Sequence, residues 1–303
     1  QTPAGYEIVN GEFMPTDWMA VVFNPSFPYR LAHKLLASAL TASFLIAGLC
    51  AWQLIKGSAT RGTHKALRAA VFTAVVVMPM QFLAGDMHGL NTLEHQPQKV
   101  AAMEGNWETG PHVPLVLFAL PDQAARENRF EIGIPSMASV ILKHDPAGVV
   151  PGLNDFVAED GTPQHPPVTA VFWSFRIMVG IGMLMLLVSW GGVWLIWRRG
   201  VEALPRPALW GLAGMSFAGW GATLAGWYTT EIGRQPWLVH GVLTTAQAAS
   251  QVPAGNIALS LALYLTLYAA LLSAYVSVVF YLAKKAVNGG EEPSVDVKGL
   301  RHV

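Results

Sequence analysis

The stretch Glu231-Ile-Gly-Arg-Gln-Pro-Trp237 lies where an apolar run of membrane-spanning length ends. It places a carboxylate, a guanidinium, an amide and an indole side by side. An ordinary helix end would be satisfied by Gly233 and Pro236 alone. Charged groups at the edge of hydrocarbon need a partner that offsets their desolvation. The stretch therefore indicates either a structural Glu–Arg pair at the level of the lipid headgroups or a cofactor or ion site.

The composition around this stretch is typical of a membrane protein. Charged residues make up 13% of the chain and hydrophobic residues 52%, with 11 Trp. The formal net charge is zero and no basic block is long enough to follow a phosphate backbone, so nucleic acid is not an expected partner. Cys50 is the single cysteine, which excludes an internal disulfide and a thiolate metal cluster.

Five segments are long and apolar enough to cross a bilayer, which takes about 20 residues. They lie near 26–55, 66–87, 168–197, 207–230 and 257–283. In the fourth segment small residues recur every four positions from Gly214 to Gly226, a spacing that lets another helix approach closely. The sequence thus predicts an all-α integral membrane protein, a bundle of about five transmembrane helices with a long extracytoplasmic loop.

The orientation follows from the lysines and arginines in the short connections. Basic residues follow the first, third and fifth segments: Lys56, Arg61, Lys65, Arg68, Arg198, Arg199, Arg206, Lys284 and Lys285. This side is predicted to be cytoplasmic, so that 284–303 forms a frayed cytoplasmic tail. The entry segment 1–25, the 88–167 connection and the Glu231–Trp237 stretch then face outward.

The 88–167 connection has about 80 residues and is rich in Pro, Gly and His, far beyond the usual length of a loop. Such loops are usually functional or disordered. Val113–Leu120 and Ile132–Leu142 are apolar patches that could pack on the membrane surface. We therefore expect partial order, with mobile stretches between the patches.

His33 and Met178 lie at similar depths from the outer ends of the first and third segments, about 12 and 15 Å along their axes. An imidazole nitrogen and a thioether sulfur together form a known pair of haem ligands. Each residue also has an ordinary explanation. An intramembrane histidine is often hydrogen-bonded to a neighbouring helix, and a methionine usually fills a gap in the core.

Arg176, two residues before Met178, is costly in a bilayer unless it meets an anion or an open cavity. Haem propionates are such anions. The alternative is a salt bridge to a carboxylate on another helix, but the five segments carry no Asp or Glu except near their ends.

The stretch Gln96-Pro-Gln-Lys-Val-Ala-Ala-Met-Glu-Gly-Asn-Trp107 combines Lys99 and Glu104 with an indole. A quinol head group needs a proton acceptor, hydrogen-bonding partners and an aromatic or apolar wall. The alternative is a solvated surface helix with ordinary charges. Four neighbouring side chains could either relay protons or simply be hydrated: Asp86, His88, Glu94 and His95.

In this order, the His33 segment, the Gln96–Trp107 stretch, Phe-Arg-Ile-Met at 175–178 and the Glu231–Trp237 motif resemble subunit I of cytochrome bd-type ubiquinol oxidases. The resemblance covers essentially the whole chain, and its short loop is similar to that of the cyanide-insensitive branch. It implies a haem-containing catalytic subunit of a terminal respiratory oxidase, which oxidises quinol, reduces oxygen to water and generates a proton gradient.

The resemblance also implies roles for individual residues. His33 and Met178 would ligate a low-spin haem b with Arg176 beside it, and Glu231 would ligate a high-spin haem b. Lys99 and Glu104 would bind and deprotonate quinol, and Trp227 would lie on the electron path. The remaining cofactor-binding residues would be Arg234, through propionates, and its neighbours Gln235 and Trp237.

Further expectations concern the whole protein. The third haem would be haem d or another haem b, and the partners would be oxidase subunit II, small accessory subunits, quinol, oxygen and the lipid bilayer. The location would be the bacterial inner membrane, with the quinol loop on the periplasmic side. Because family members carry four further helices upstream, the chain is expected to lack an N-terminal region and to be inactive alone. Two alternatives are a non-catalytic haem-carrying membrane anchor and a secondary transporter, although broken helices and repeat symmetry are not evident in the sequence.

Overall fold

The computed structural model describes residues 1–159 and 161–288. Its helices are α1 (Trp18–Val22), α2 (Phe27–Ile55), α3 (Arg61–His95), α4 (Pro97–Glu104), α5 (Met137–Lys143), α6 (Val168–Arg199), α7 (Arg206–Gly214), α8 (Ala218–Ile232) and α9 (Ala254–Asn288). Three antiparallel hairpins pair β1 (Tyr6–Val9) with β2 (Glu12–Pro15), β3 (Leu115–Asp122) with β4 (Glu127–Ile134), and β5 (Trp237–Val239) with β6 (Leu243–Thr244). Of the predicted tail 284–303, residues 289–303 lie outside the described part.

Four of these helices, α2, α3, α6 and α9, are long and apolar enough to cross a membrane. The helical membrane architecture predicted from the sequence is therefore confirmed. Nearly every described side chain of α9 is exposed, as expected for a helix whose surroundings are lipid or another chain. It touches α2 through the Gln53 side-chain amide, which donates to the backbone carbonyl of Ala283 at 2.8 Å.

The fourth predicted span, 207–230, is not one continuous helix. The structure divides it into α7 and α8, which are separated by Met215–Phe217. At the break the Ser216 amide and hydroxyl both donate to the Ala213 carbonyl, at 3.2 and 2.6 Å, which is a tighter turn than an α-helix makes. The sequence shows no evident broken helix, which counted against a transporter. For this span that prediction was wrong.

The break lets α2 approach closely. Ser216 lies against Gly48, where a Cβ atom would collide with the serine side chain, and a Cβ on Gly219 would lie 2.6 Å from the Cα of Thr41. Only some of the small residues in the predicted spacing make close contacts with another helix. Gly226 packs against α6, whereas a Cβ on Gly214 would meet no atom of the described residues within 4 Å. Gly219, which makes a close contact, is not part of the predicted spacing.

The buried core is distributed along the bundle in three main clusters. The cluster farthest from the 88–167 loop joins α2, α3, α6 and α7 and contains Ala47, Cys50, Ala51, Leu67, Ala70, Val71, Ile196, Leu204, Leu209 and Leu212. The middle cluster contains Leu40, Phe44, Ala74, Met78 and Met185. The third fixes the loop to α6 through Ala101, Ala102, Trp107, Leu153, Val168 and Val171.

We call the end of the bundle that carries this third cluster the loop end. There α2 and α6 begin, and α3 and α8 end. The Asn91 side chain of α3 donates to the carbonyl of Pro25 at 3.4 Å, and the Gln1 side chain donates to the carbonyl of Thr230 at 3.3 Å. The entry segment, the 88–167 loop and the Glu231–Trp237 motif therefore meet at one end, as the alternation of spans predicted.

The loop itself is more regular than its composition suggests. Residues 88–95 continue α3, α4 follows after the single residue Gln96, and the two predicted apolar patches form parts of the β3–β4 hairpin and α5. Gly105 ends α4 in the left-handed conformation, at φ 68°. A Cβ there would lie 3.0 Å from ring carbons of Phe172, so glycine permits both the turn and the contact with α6.

Candidate functional site

The short helix α4 is the centre of the candidate site. Pro97 starts it, Gly105 ends it, and Lys99, Ala101, Ala102 and Glu104 are all buried. Successive residues of an α-helix are about 100° apart, so positions five apart point to different sides. Lys99 and Glu104, which the sequence analysis grouped at one quinol site, consequently have different partners.

Glu104 faces α6. Its Oε2 accepts a hydrogen bond from Nη2 of Arg176 at 3.3 Å, and the side chains of Arg176 and Glu104 are only 12% and 8% exposed. Burial raises the pKa of Glu104, and the nearby guanidinium opposes this rise. The result is a carboxyl group that readily holds a proton close to a fixed positive charge.

The remaining N–H groups of Arg176 donate hydrogen bonds to backbone carbonyls of the loop. Its Nε donates to the carbonyl of Val116 at 3.0 Å, and its Nη1 donates to the carbonyl of Met103. The guanidinium also stacks on Phe172, with Cζ 3.9 Å from the ring centroid. The sequence predicts an anionic partner for it within the spans or on a haem. The partner in the structure is Glu104, which comes from the loop.

Lys99 faces the opposite way, towards the end of α8. A Cβ on Gly233 would lie 3.0 Å from Cγ of Lys99, so glycine makes room for the lysine stem within the Glu231–Trp237 motif. The Lys99 ammonium donates to the side-chain oxygen of Gln1 at 2.5 Å. Burial, reinforced by Arg30, lowers the pKa of Lys99 to about 7, while Glu231 opposes the shift.

Glu231 and Arg234 form an ion pair of 2.6 Å on successive turns at the end of α8, with side chains 32% and 24% exposed. Arg234 Nε is buried and lacks a hydrogen-bond partner among the described residues. Together with Arg30 and Lys99, the pair gives this region an excess of positive charge around one carboxylate. Such a region suits an additional anionic group.

The last residues of the motif lead into the small β5–β6 sheet. Gln235 accepts a hydrogen bond from Thr245 at 2.7 Å, and Trp237 begins β5 with its ring 6.0 Å from that of His240. Burial, reinforced by Lys99, lowers the pKa of His240. Trp227 lies one turn before Glu231, is 51% exposed, and has its ring 5.5 Å from that of Tyr228.

The two predicted ligands of a low-spin haem lie against different helices. His33 contacts α3, where the Gln81 amide nitrogen is 3.0 Å from its Nε2 and the ring of His88 is 5.7 Å away. Met178 contacts α8, where a Cβ on Gly226 would lie 2.7 Å from the methionine sulfur. Of these neighbours, only His88 and Gly226 are indicated by the sequence patterns.

Asn128 is a further residue that the sequence analysis missed. Its side-chain oxygen accepts from the Trp107 indole at 3.0 Å, and its amide donates to the Gly105 carbonyl and to Glu131, each at 2.8 Å. It thereby fixes the β3–β4 hairpin to the end of α4. A single asparagine in a strand gives no sequence signal for such a contact, which depends on how the hairpin folds back.

A haem is the group implied by the donor types, and the structure offers a test of fit. Imidazole, thioether and carboxylate donors are all present on buried or half-buried elements. The unpaired Nε of Arg234 provides a buried donor for a propionate. Gly85 and Gly226 leave room on α3 and α8 for the side chains of His33 and Met178, which pack directly against them. These donor types and the free guanidinium nitrogen suit a haem.

Comparisons with known proteins agree with these features. A family model described as cytochrome bd terminal oxidase subunit I matches residues 1–287. The cytochrome bd ubiquinol oxidase subunit 1 of Bacillus subtilis (strain 168) is 35% identical over 268 residues, covering 86% of this chain and 57% of that protein. A putative cytochrome bd menaquinol oxidase subunit I of the same organism is 30% identical over 291 residues, covering 94% and 63%.

Two further matches extend this comparison. The cytochrome bd-II ubiquinol oxidase subunit 1 of Escherichia coli (strain K12) is 29% identical over 330 residues, covering 86% of this chain and 62% of that protein. The solved structure of a bd oxidase from Geobacillus thermodenitrificans matches with a TM-score of 0.82 and 34% identity, covering 94% of this chain and 64% of that one. The chain thus spans about three fifths of the length of these relatives.

Proposed function

The chain belongs to the cytochrome bd terminal oxidase subunit I family, and from this premise we propose that it is the haem-holding, quinol-oxidising part of a respiratory terminal oxidase. The whole protein would oxidise quinol, reduce oxygen to water and build a proton gradient. One observation carries the proposal. Residues from α4, α6 and α8, which are far apart in the sequence, meet at α4, where one face presents Glu104 to Arg176 and another presents Lys99 to the Glu231–Arg234 region.

The roles of the side chains follow from their surroundings. Glu104 is proposed to accept a proton from the quinol hydroxyl, because its raised pKa lets a buried carboxyl hold that proton. Arg176 keeps this carboxyl in place and limits its pKa rise. Lys99, whose pKa is about 7, is proposed to donate a hydrogen bond to a quinol oxygen.

His33 and Met178 are proposed to hold a low-spin haem b, Glu231 a high-spin haem b, and Arg176, Arg234, Gln235 and Trp237 to surround the cofactors. When bound, the haems supply one-electron redox chemistry that the side chains of this chain do not provide. Trp227 is proposed to lie on the electron path. The site that reduces oxygen, with haem d or a further haem b, would be completed by parts of the whole protein that are not in this chain.

The proposed setting is a bacterial inner membrane, with the loop end on the periplasmic side and a second oxidase subunit as partner. Lysines and arginines at the opposite end support this orientation. Small accessory subunits are a further proposal. Both alternative functions, a non-catalytic membrane anchor and a transporter, would leave the pairing of Glu104 with Arg176 without a chemical role.

Reduced-minus-oxidised visible spectra of membranes that carry the full-length protein test the proposal. We expect b-type haem bands, and Met178→Leu should remove the low-spin signal selectively because a leucine has no donor atom. Met183→Leu, an exposed methionine on the same helix, is the matched control and should leave the spectrum unchanged. An intact low-spin signal in Met178→Leu would show that Met178 is not the ligand.

A further inference from the structure

The loop forms an open cavity of about 310 Å³ between the end of α4 and strand β4. Glu104 lies at its buried side, and polar residues of the loop and the hairpin line much of the rest. The charged residues that line it are Glu104, Glu108, Arg126, Glu127 and Glu131, and the amide residues are Asn106 and Asn128. Since a water molecule occupies about 30 Å³ of liquid, the cavity has room for several waters among these polar partners.

The charge around this cavity is predominantly negative, since four glutamates and one arginine line it. Glu108, Glu127 and Glu131 are exposed, and none of the three forms an ion pair with another described residue. A wall of carboxylates without a cationic partner repels an anion such as a deprotonated quinol, and it raises the local concentration of protons and cations. The cavity is therefore suited to carry protons rather than to hold the substrate ring.

Asn128 connects the buried and the exposed parts of this cavity. Its amide donates both to the carbonyl of Gly105, the residue after Glu104, and to Oε2 of Glu131, each at 2.8 Å. These two bonds fix Glu131 to the stretch of backbone that carries Glu104. Only Oε2 of Glu104 is bonded to Arg176. A carboxyl group that is held on one side by a guanidinium and lines a polar cavity can pass a proton into that cavity.

We propose that this acidic cavity is the proton exit of the quinol site, and that Glu131 is the first carboxylate to receive the proton from Glu104. In this step the O–H bond of the Glu104 carboxyl breaks, water in the cavity carries the proton, and an O–H bond forms on Glu131. No electron moves. Glu108 and Glu127 then share the proton with the solution outside. The inference rests on the proposed function, because it takes Glu104 as the group that deprotonates quinol.

The experiment uses the complete oxidase in membranes, with a short-chain ubiquinol as substrate. Glu131→Gln and the triple variant Glu108→Gln/Glu127→Gln/Glu131→Gln are compared with Glu159→Gln, an exposed glutamate of the same loop that does not line the cavity. We expect kcat to fall roughly tenfold in Glu131→Gln and further in the triple variant, with KM little changed. Imidazole, a small proton carrier, should restore much of the lost kcat, which it would not do for a purely structural defect.

The haem spectrum of each variant reports whether it has folded, and if the triple variant loses its haems, Glu131→Gln alone decides. A kcat equal to that of the Glu159→Gln control in variants with normal haem would overturn the proton exit. So would a loss of kcat that imidazole leaves unchanged. Glu104→Gln separates this failure from a failure of the proposed function. If that variant still oxidises quinol, Glu104 is not the base, and both the role and the exit are wrong.

Discussion

The two faces of α4 carry buried ionisable groups of opposite charge, and burial shifts the pKa of each towards its neutral form. On the α6 face, burial raises the pKa of the Glu104 carboxyl, and the positive charge of Arg176 limits this rise. On the α8 face, burial lowers the pKa of the Lys99 ammonium to about 7, and the negative charge of Glu231 limits this fall. Both groups are displaced towards their neutral forms, and both have an opposite charge nearby that prevents full neutralisation. One short buried helix thus supplies an acid and a base that can both change protonation state.

The faces differ in how firmly their partners are held. Arg176 is anchored to the backbone carbonyls of Met103, Glu104 and Val116 and to the ring of Phe172. The Glu231–Arg234 pair is partly exposed and keeps a buried donor free. We infer that the Glu104 face is a rigid connection and that the Lys99 face is open to an additional ligand. Substitutions on each face test this difference.

Replacing Glu104 with glutamine should have the largest effect. The amide keeps the shape and a hydrogen-bond acceptor for Arg176 but cannot take a proton, so kcat for quinol oxidation should fall roughly 100-fold or more. Steady-state oxygen consumption measures this, with the haem spectrum as the control for folding. A turnover within twofold of wild type would remove the chemical distinction between the two faces.

Replacing Arg176 with methionine should destabilise the loop. The change leaves a buried carboxyl and several carbonyls without their donor, and breaking a buried pair costs about 3 kcal/mol. Hydrogen exchange at the amides of α4 and β3 should speed up in the intact protein. Arg129→Met, which removes an exposed arginine that pairs with Asp122, is the control and should leave exchange unchanged at α4. Equal protection in both variants would show that Arg176 is not the anchor.

Replacing Gly233 with alanine should disturb the other face. The new methyl group would lie against the carbonyl of Thr229 and 3.0 Å from Cγ of Lys99, and such overpacking costs about 1–3 kcal/mol. Thermal unfolding followed by loss of the haem spectrum measures it. Gly180→Ala, at an α6 position with open space around it, is the matched control. Unfolding temperatures that agree within error would show that α4 does not pack this closely on α8.

Replacing Lys99 with glutamine should raise KM for quinol, roughly tenfold, and leave the haem spectrum intact, because an uncharged donor replaces a cation. The pH dependence has a definite sign. With a pKa of about 7, the wild-type ammonium is protonated below pH 7 and loses its proton above it, so KM should rise as the pH increases through 7. Lys99→Arg stays charged and should not show this rise. A parallel pH profile in both proteins would assign the titration to another group.

The smallest effect on stability is expected for the Glu231–Arg234 pair. A partly exposed ion pair contributes about 0.5 kcal/mol, so Arg234→Gln should change the unfolding temperature very little. Its effect should instead appear in the spectrum and midpoint potential of the high-spin haem. A large drop in stability without a spectral change would indicate that the pair is a structural anchor and that this face has no ligand.

Much of this arrangement is predictable from the sequence, because hydrophobic length and loop charge determine the spans and the end at which the motifs gather. The division of the fourth span was not predictable. Gly214-Met-Ser-Phe217 is compatible with a continuous apolar helix, and only its close contacts with Gly48 and Thr41 explain the break. Likewise, the sequence identified Lys99 and Glu104 but grouped them. Their side chains point to different sides because both lie on the short helix α4, and the sequence alone did not show where that helix begins and ends.

Helix α3 adds a consequence for the placement of α4. Its 35 residues span about 52 Å at 1.5 Å per residue, some 20 Å more than the hydrocarbon of a bilayer. Only Gln96 separates it from α4, so the phase of the longer helix sets the direction in which the shorter one points. One residue inserted near position 90 would turn the last residues of α3 and all of α4 by about 100° and raise them by about 1.5 Å. Such an insertion would present different side chains of α4 to Arg176 without altering any of them, so the chemistry of this end depends on the register of the helix beneath it.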